Sequence, residues 1–390
     1  MIEVAAMPSE ETLAANASHG DLPHVLMILD EFPKAMGGAE LIAIRSAAVL
    51  PSYGYRASIL TFSIYPGIAE LKSPPCPVYL LPIKRTYDLT AMRAAFELGR
   101  FLKDQKVQIV HTFFESSDLW AGFITKSLSN AKLIWARRDM GILRARKHNI
   151  AYRLMANAPD AVFAVSEQVR RHCIDSDRID AARVQTIYNG LNLSDWNMGA
   201  ASKKTPGESL VTTVGHIRRV KGHDVFIKAA GLIAPRFPGV TFSIAGDVLE
   251  TEYFGELVAM VKDLKLSGRF RFDGGVSNLR THLSKADIFV LPSRSEGFSN
   301  AIVEAMAASL PAVVTDVGGN AEAVQDGVTG FVVPSDDPEA LSTAIMKLLS
   351  DPVKAKAMGA AGKQLAGEKF TMEAMMEQTT SAYDRLLAKS

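Results

Sequence analysis

The chain reads as an α/β protein of two doubly wound domains, each a parallel sheet with helices on both faces. Three observations carry that expectation. Short apolar runs alternate with helical patterns from His24 almost to the C-terminus, as strand–helix–strand crossovers require. At 390 residues the chain exceeds one ordinary core. The alternation lapses once, from Asn197 to Ser209, into Gly, Ala, Ser, Lys and Pro and then restarts, as it would at a linker.

In the first half, His24–Leu29 reads as a strand and Gly38–Leu50 as a helix. Arg56–Phe62 and Val78–Leu81 follow as strands, Leu89–Leu102 as a helix, and Gln108–Val110, Lys132–Trp135 and Ala161–Val165 as further strands. Runs this apolar suit strands buried on both faces of a parallel sheet. In the second half, Leu210–Val214, Val240–Ala245, Phe270–Phe272, Ile288–Leu291, Ala312–Val314 and Phe331–Val333 read as strands with helices between them. Met372–Leu387 is a helical pattern beyond the last strand, and its Met372, Met375 and Met376 read as packing. Residues 1–21 carry Glu3, Glu10 and Glu11 and no basic start, so they read as a loose tail and not as a signal peptide. The expected division is a tail over 1–21, a first domain over 22–200, a second over 201–370 and a closing helix over 371–390. Ligands of such sheets bind beyond the carboxyl ends of the strands, in the cleft the two domains would form.

Bulk properties exclude several classes. A hydrophobic fraction of 48% is ample for packed cores, and a net charge of +1 argues against an electrostatic nucleic-acid binder. Cys76 and Cys173 lie far apart without metal-ligand spacing, and read as buried, reduced thiols of a cytoplasmic protein. No apolar run approaches the roughly 20 residues that span a bilayer. No G-x-G-x-x-G follows a strand, and neither G-x-x-x-x-G-K-[ST] nor H-E-x-x-H occurs. That weighs against dinucleotide dehydrogenases, P-loop NTPases and metalloproteases.

The most informative stretch is Ser293 to Met306. The strand Ile288–Leu291 stops at Pro292, a small polar turn carries Glu296, and a helix start follows with Glu304 inside it. A helix N-terminus offers unpaired N–H groups and partial positive charge, so it suits a phosphate. Two acids framing an anion site fit a ligand with phosphates in the middle and hydroxyls at both ends, the layout of a nucleotide-sugar. A second stretch, Val214 to Gly222, also joins a strand end to a helix. Gly215 admits close backbone approach, and Arg218, Arg219 and Lys221 put cations where a departing diphosphate needs neutralising. Taken alone, that loop is equally a solvated basic turn. His111, with Thr112, closes the strand Gln108–Val110 and is a catalytic candidate or a packing histidine; His216 has the same balance, and His223 reads as surface.

These segments resemble family 4 retaining glycosyltransferases. Gly215 to Gly222 resembles the family's glycine-basic-lysine-glycine loop, and Glu296 to Glu304, with seven residues between the acids, its paired-glutamate motif. Thr315 to Glu322 and Gly327 to Phe331 are similar to the segments after it, Ile187 to Gly190 to the turn near the domain junction, and Gly37 to Glu40 to the N-terminal glycine loop. The resemblance implies a GT-B architecture, two Rossmann-like doubly wound domains facing across a cleft. It implies transfer from a nucleotide-sugar with retention and with no metal or other cofactor. Under it, Glu304 would hold the ribose hydroxyls and Glu296 the donor sugar hydroxyls. The backbone of Gly297, Phe298, Ser299 and Asn300 would line the sugar, and amides around Ala301 and Ile302 the phosphates. Arg218 or Arg219, with Lys221, would stabilise the diphosphate, Gly38 and Gly215 would admit the donor, and the base would lie near Gly274 to Ser277. Two departures stand out. His216 occupies a place where many relatives have arginine, and Ala136 to Gly141, with Arg137 and Arg138, a region where they often carry histidine.

The acceptor side is read from charge. From Lys126 to Arg153 the chain holds Lys126, Lys132, Arg137, Arg138, Arg144, Arg146, Lys147 and Arg153 against Asp139, with Ile142, Leu143, Ile150, Tyr152 and Leu154 among them. Arg137 and Arg138 are candidates to meet an acceptor phosphate, the acceptor being a glycan or lipid-linked saccharide. The segment also reads as a surface for peripheral contact with the anionic inner face of a membrane, or as a solvated helix face. Two other readings stay open: a glycoside-cleaving enzyme using Glu296 and Glu304, which needs facing carboxyls, and a nucleotide-sugar binding module without turnover.

Overall fold

The structure, a computed structural model, describes residues 2–9, 22–68, 71–83, 85–86, 88–141, 144–196 and 208–389. Packing divides the chain into a unit of Met1–Tyr188 with Met375–Ser390 and a unit of Asn189–Ala374.

The first unit holds β1 (Glu3–Ala6), β2 (His24–Leu29), α1 (Gly38–Val49), β3 (Arg56–Thr61), β4 (Val78–Leu80), α2 (Leu89–Asp104), β5 (Val107–Thr112), α3 (Gly122–Leu128), β6 (Lys132–Arg137), α4 (Arg146–Leu154), β7 (Ala161–Ala164), α5 (Glu167–Asp175) and β8 (Val184–Thr186). The sheet runs β1-β4-β3-β2-β5-β6-β7-β8. Every residue of β2 is buried, as expected of a parallel strand covered on both faces. Local chemistry sets where helices start: the Asp88 carboxylate accepts the Ala91 N–H at 2.9 Å before α2, and Ser166 Oγ accepts that of Val169 at 3.2 Å before α5. The loose tail expected over 1–21 is corrected in part. Glu3–Ala6 pairs antiparallel with β4, in register Glu3 to Leu80, and so covers a sheet edge; residues 10–21 lie outside the described residues.

The second unit holds β9 (Ser209–Val214), α6 (His223–Ile233), β10 (Val240–Ala245), α7 (Thr251–Asp263), β11 (Phe270–Gly274), α8 (Leu279–Leu283), β12 (Ile288–Leu291), α9 (Asn300–Ala307), β13 (Ala312–Thr315), α10 (Asn320–Ala323), β14 (Gly330–Val333), α11 (Pro338–Ser350) and α12 (Pro352–Lys369). The closing helix α13 (Met372–Leu387) joins the first unit from Met375. The sheet β11-β10-β9-β12-β13-β14 is parallel throughout. Phe226 of α6 packs with Phe242 and Phe270, ring centroids 6.0 and 5.5 Å away, tying helix to sheet.

The division falls between Tyr188 and Asn189, upstream of the expected linker, whose residues 197–207 lie outside the described residues. The reason is backbone pairing. The Leu191 N–H donates to the Phe370 carbonyl at 2.9 Å and the Met372 N–H to the Leu191 carbonyl at 3.1 Å. Gly190 lies so close to Thr371 that a Cβ there would sit 2.6 Å from its carbonyl oxygen.

In each sheet the connections reverse direction once, between β2 and β5 and between β9 and β12. At such switch points the loops diverge and leave a crevice at the carboxyl ends of the strands.

Candidate active site

At the second unit's switch point, residues 215–222 follow β9 and residues 292–299 follow β12. Lys221 Nζ donates to Glu296 Oε1 at 2.7 Å, and Ser293 Oγ donates to the same oxygen at 2.6 Å. The Glu296 side chain is 10% exposed and that of Lys221 25%, so a carboxylate and an ammonium are held together at the strand ends. Backbone contacts lock the loops around them. The Arg294 N–H donates to the Val220 carbonyl at 2.8 Å, Thr315 Oγ1 to the Ser293 carbonyl at 2.6 Å, and the Gly319 N–H to the Gly297 carbonyl at 2.9 Å. Gly318 makes the last approach feasible: its φ is +54° and a Cβ would sit 1.7 Å from the Glu296 carbonyl oxygen.

The helix after this turn is placed as expected, with a different use of its parts. Asn300 Oδ1 accepts from Asn189 Nδ2 at 2.6 Å, which ties the Asn-Gly turn to the start of α9. The Phe298 ring is buried against Phe370, centroids 5.3 Å apart, so only its backbone is available to line a ligand. Of the two amides expected to serve phosphates, that of Ile302 donates to the Ser299 carbonyl at 3.2 Å. Ser299 is buried, and Ala301 and Glu304 are partly exposed on α9.

The basic loop divides its labour. Arg219 lies over the Tyr253 ring at 4.9 Å and pairs with Glu256, which corrects its assignment to the diphosphate: the side chain is already engaged. Arg218, 3.6 Å from Glu250 and 43% exposed, is the more available cation. His216 Nδ1 lies 3.8 Å from Asp247, and Gly215 hydrogen-bonds the Ala245 carbonyl at 2.9 Å. His223, expected at the surface, is buried at the start of α6, with Nε2 3.2 Å from the His216 carbonyl; burial lowers its pKa to about 4. Sequence reasoning missed Arg294. Its guanidinium grips Asp224 through two bonds of 2.9 Å and also donates to the Arg219 carbonyl and to Asp336, both at 2.7 Å. Burial raises the Asp224 carboxyl, but Arg294 and Tyr253 outweigh it and hold it down at about 2. The signal was the cation inside the Ser293–Glu296 turn.

At the first unit's switch point, Gly37 caps α1 and Gly38 opens it. The Glu40 carboxyl is buried and raised by desolvation. Asp30 accepts the N–H groups of Ser116 and Ser117 at 3.0 and 2.7 Å. The structure places His111 in the core. Its Nδ1 is 2.7 Å from the Tyr383 hydroxyl, its ring packs on Phe113 and Phe163, and burial lowers its pKa to about 3. The ring is therefore neutral at ordinary pH and is spent on packing. Arg137 is corrected likewise. It is 3% exposed, with Nη1 donating to Asp177 at 2.7 Å and its guanidinium 4.4 Å above Tyr152. Arg138 is half-buried; desolvation lowers its pKa, Glu40 opposes that, and at about 10 it stays charged at neutral pH. Cys76 and Cys173 are free and buried, with burial raising both thiols to about 12.

Two Rossmann-like units, the second with a cation–carboxylate pair at its strand ends, fit the GT-B fold of glycosyltransferases. Solved structures superpose on it: HepE (Alr3699) of Anabaena, in complex with UDP and glucose, at a TM-score of 0.80 and 20% identity over 93% of this chain and 100% of that one, and a glycosyltransferase from Rickettsia africae ESF-5 at 0.82 and 21% over 95% and 100%. The chain belongs to the group 1, family 4 glycosyltransferases. Residues 36–195 match the family described as Glycosyltransferase Family 4 and residues 195–365 the one described as Glycosyl transferases group 1. The lipopolysaccharide core biosynthesis mannosyltransferase LpcC of Rhizobium leguminosarum bv. viciae is 30% identical over 282 residues, 65% of this chain and 80% of that protein. Among the described residues no helix is long and apolar enough to cross a membrane.

Proposed function

We propose that the enzyme moves a hexose from a UDP- or GDP-linked sugar to a hydroxyl of a glycan or lipid-linked saccharide, in polysaccharide or glycoconjugate biosynthesis, with retention and without metal. The observation that carries this is the convergence of Lys221 and Ser293 on Glu296. In this reading Glu296 receives donor sugar hydroxyls, Glu304 the ribose hydroxyls, and Lys221 with Arg218 neutralises the diphosphate as the C1–O bond breaks. Charge placed in advance where it develops lowers the barrier without reorganisation. Retention follows if the acceptor oxygen bonds C1 on the face the diphosphate leaves, its proton passing to a leaving phosphate oxygen. The mannosyltransferase name of LpcC and the UDP and glucose bound by HepE support hexose and nucleotide.

The test begins with thermal shifts for UDP, GDP, ADP and their sugar conjugates in the presence of a chelator, since a ligand of the folded state raises the melting temperature. One nucleotide family is expected to stabilise the protein, and NMR of the product to show the donor's anomeric configuration kept. No shift at millimolar ligand, an inverted product, or turnover only with divalent metal would each overturn the corresponding part.

The proposal includes peripheral contact with anionic membrane. On α4, Arg146, Lys147, Ile150, Arg153 and Leu154 share an exposed face, Leu154 at 81%; on α2, Leu89, Met92 and Phe96 are exposed beside Arg93, Arg100 and Lys103. Apolar anchors flanked by cations fit an anionic lipid surface. Co-sedimentation with phosphatidylglycerol vesicles, and not with phosphatidylcholine vesicles, is expected. It should weaken in a variant carrying Ile150→Glu and Leu154→Glu; binding to neither vesicle removes this part.

A further inference from the structure

Glu296 is presented by a turn whose backbone does not support itself. Among the described residues, the backbone hydrogen bonds of Ser293 to Gly297 run to other loops. The Arg294 N–H goes to the Val220 carbonyl, and the Gly297 carbonyl accepts from Gly319. The Ser293 carbonyl accepts the hydroxyls of Thr315 and Ser335, at 2.6 and 3.4 Å. The turn that carries Lys221 differs, because it closes on itself. There the N–H groups of Lys221 and Gly222 donate to the Arg218 and Arg219 carbonyls at 3.0 and 3.1 Å.

The Arg294 side chain braces the dependent turn. It binds both carboxylate oxygens of Asp224 at 2.9 Å, a geometry that fixes the plane of a guanidinium as well as its distance. Tyr253 holds Asp224 in turn: its hydroxyl donates to Oδ1 at 2.6 Å and accepts the Asp224 N–H at 3.1 Å. Nη1 also reaches the Arg219 carbonyl, and Nε donates to Asp336, both at 2.7 Å. Asp336 has φ +58°, a left-handed conformation that costs energy in a residue with a Cβ. The strained residue is the one whose carboxylate meets Arg294. One side chain thus ties the Glu296 turn to α6, to the loops after β9 and β14 and, through Asp224, to α7.

We infer that Arg294 is a positioning residue for the donor sugar: it sets where the turn holds the Glu296 carboxylate and leaves nucleotide binding to other groups. The inference rests on the glycosyltransferase reading and adds a residue that touches no substrate in it. Lysine is not its equal there, since one ammonium cannot grip two carboxylates and a carbonyl in one plane.

Calorimetric titration of the full chain with UDP, UDP-glucose, GDP and GDP-mannose tests this. For the nucleotide family that binds, Arg294→Gln should weaken the sugar conjugate about tenfold and the nucleoside diphosphate less than about twofold. Arg294→Lys should recover part of the loss. In a Glu296→Ala background, Arg294→Gln should cost the conjugate nothing further, because the carboxylate it positions is gone. A role in stability alone would lower the melting temperature in both backgrounds and leave the ratio of the two affinities unchanged. If Arg294→Gln does not fold, Asp224→Asn weakens the same brace from its other end and is read in the same way. No loss, an equal loss for diphosphate and conjugate, or a loss that persists in the Glu296→Ala background overturns the inference while the unmodified chain still binds nucleotide. Binding of neither UDP nor GDP to the unmodified chain is instead a failure of the glycosyltransferase reading, and the inference falls with it.

Discussion

Glu296 and Lys221 sit 75 positions apart in the chain and 2.7 Å apart in space. Both were legible as separate strand-end features, because a carboxylate or a lysine beside a glycine turn after an apolar run marks a place where backbone and charge meet a ligand. Their direct bond was not legible. Glu296→Ala should therefore lower kcat by about 10²–10³-fold while nucleoside diphosphate binding survives, and Glu304→Ala should weaken nucleotide binding. Steady-state kinetics with calorimetry separates the two, and near-unmodified activity in both would sink the site. Arg294 and Arg219 show why the remaining charges resisted reading. Each lies in a turn after a strand, but Arg294 finds Asp224 70 positions away and Arg219 finds Glu256 and Tyr253. A cation's role follows from the acceptor folding brings to it, and no local spacing encodes that acceptor.

At the scale of elements, the loops after β9, β12 and β13 form one assembly. Gly318, in the loop after β13, and Gly327, in the turn before β14, separate crowding from backbone strain. Both have positive φ, +54° and +74°, but a Cβ at Gly318 would strike the Glu296 carbonyl whereas one at Gly327 meets nothing within 4 Å. Gly327→Ala should cost on the order of 1 kcal/mol with activity kept. Gly318→Ala should cost more, about 2–4 kcal/mol, and reduce turnover because the Glu296 turn must move. Denaturant titration and kcat for the two variants decide it; equal behaviour would mean that the Glu296 turn yields without consequence. Strand and helix positions were readable because burial on both faces of a parallel strand demands an unbroken apolar run. The β1 strand escaped notice because Glu3–Ala6 is an exposed edge whose pairing lies in the partner strand β4.

Across the molecule, buried histidines couple folding to pH. In the second unit His223 is held neutral by burial, with a pKa of about 4 against 6.5 when unfolded, and His282 is lowered in the same direction. Below pH 6.5 the unfolded chain binds the proton that the folded chain refuses, so stability falls as pH falls until the folded pKa is reached. Between about pH 7.5 and 5.5 His223 alone should cost about 1.3 kcal/mol. In the first unit His24 and His111 act in the same sense. They are opposed by Asp118, whose carboxyl, raised by burial to about 7, takes up a proton when folded over that interval. The second unit is therefore expected to be the more acid-sensitive, measured by urea unfolding with hydrogen exchange resolved by unit, and His223→Asn should flatten its decline; a pH-independent second unit contradicts this. The sequence by itself determined the two α/β units, their buried central strands and the two glycine-bearing turns, because these follow from local burial and backbone freedom. Only the tertiary structure decided which charges are free to act. It buried His111, His223 and Arg137, engaged Arg219, and left Lys221 on Glu296, because strand order alone brings loops from distant parts of the chain to the same sheet edge.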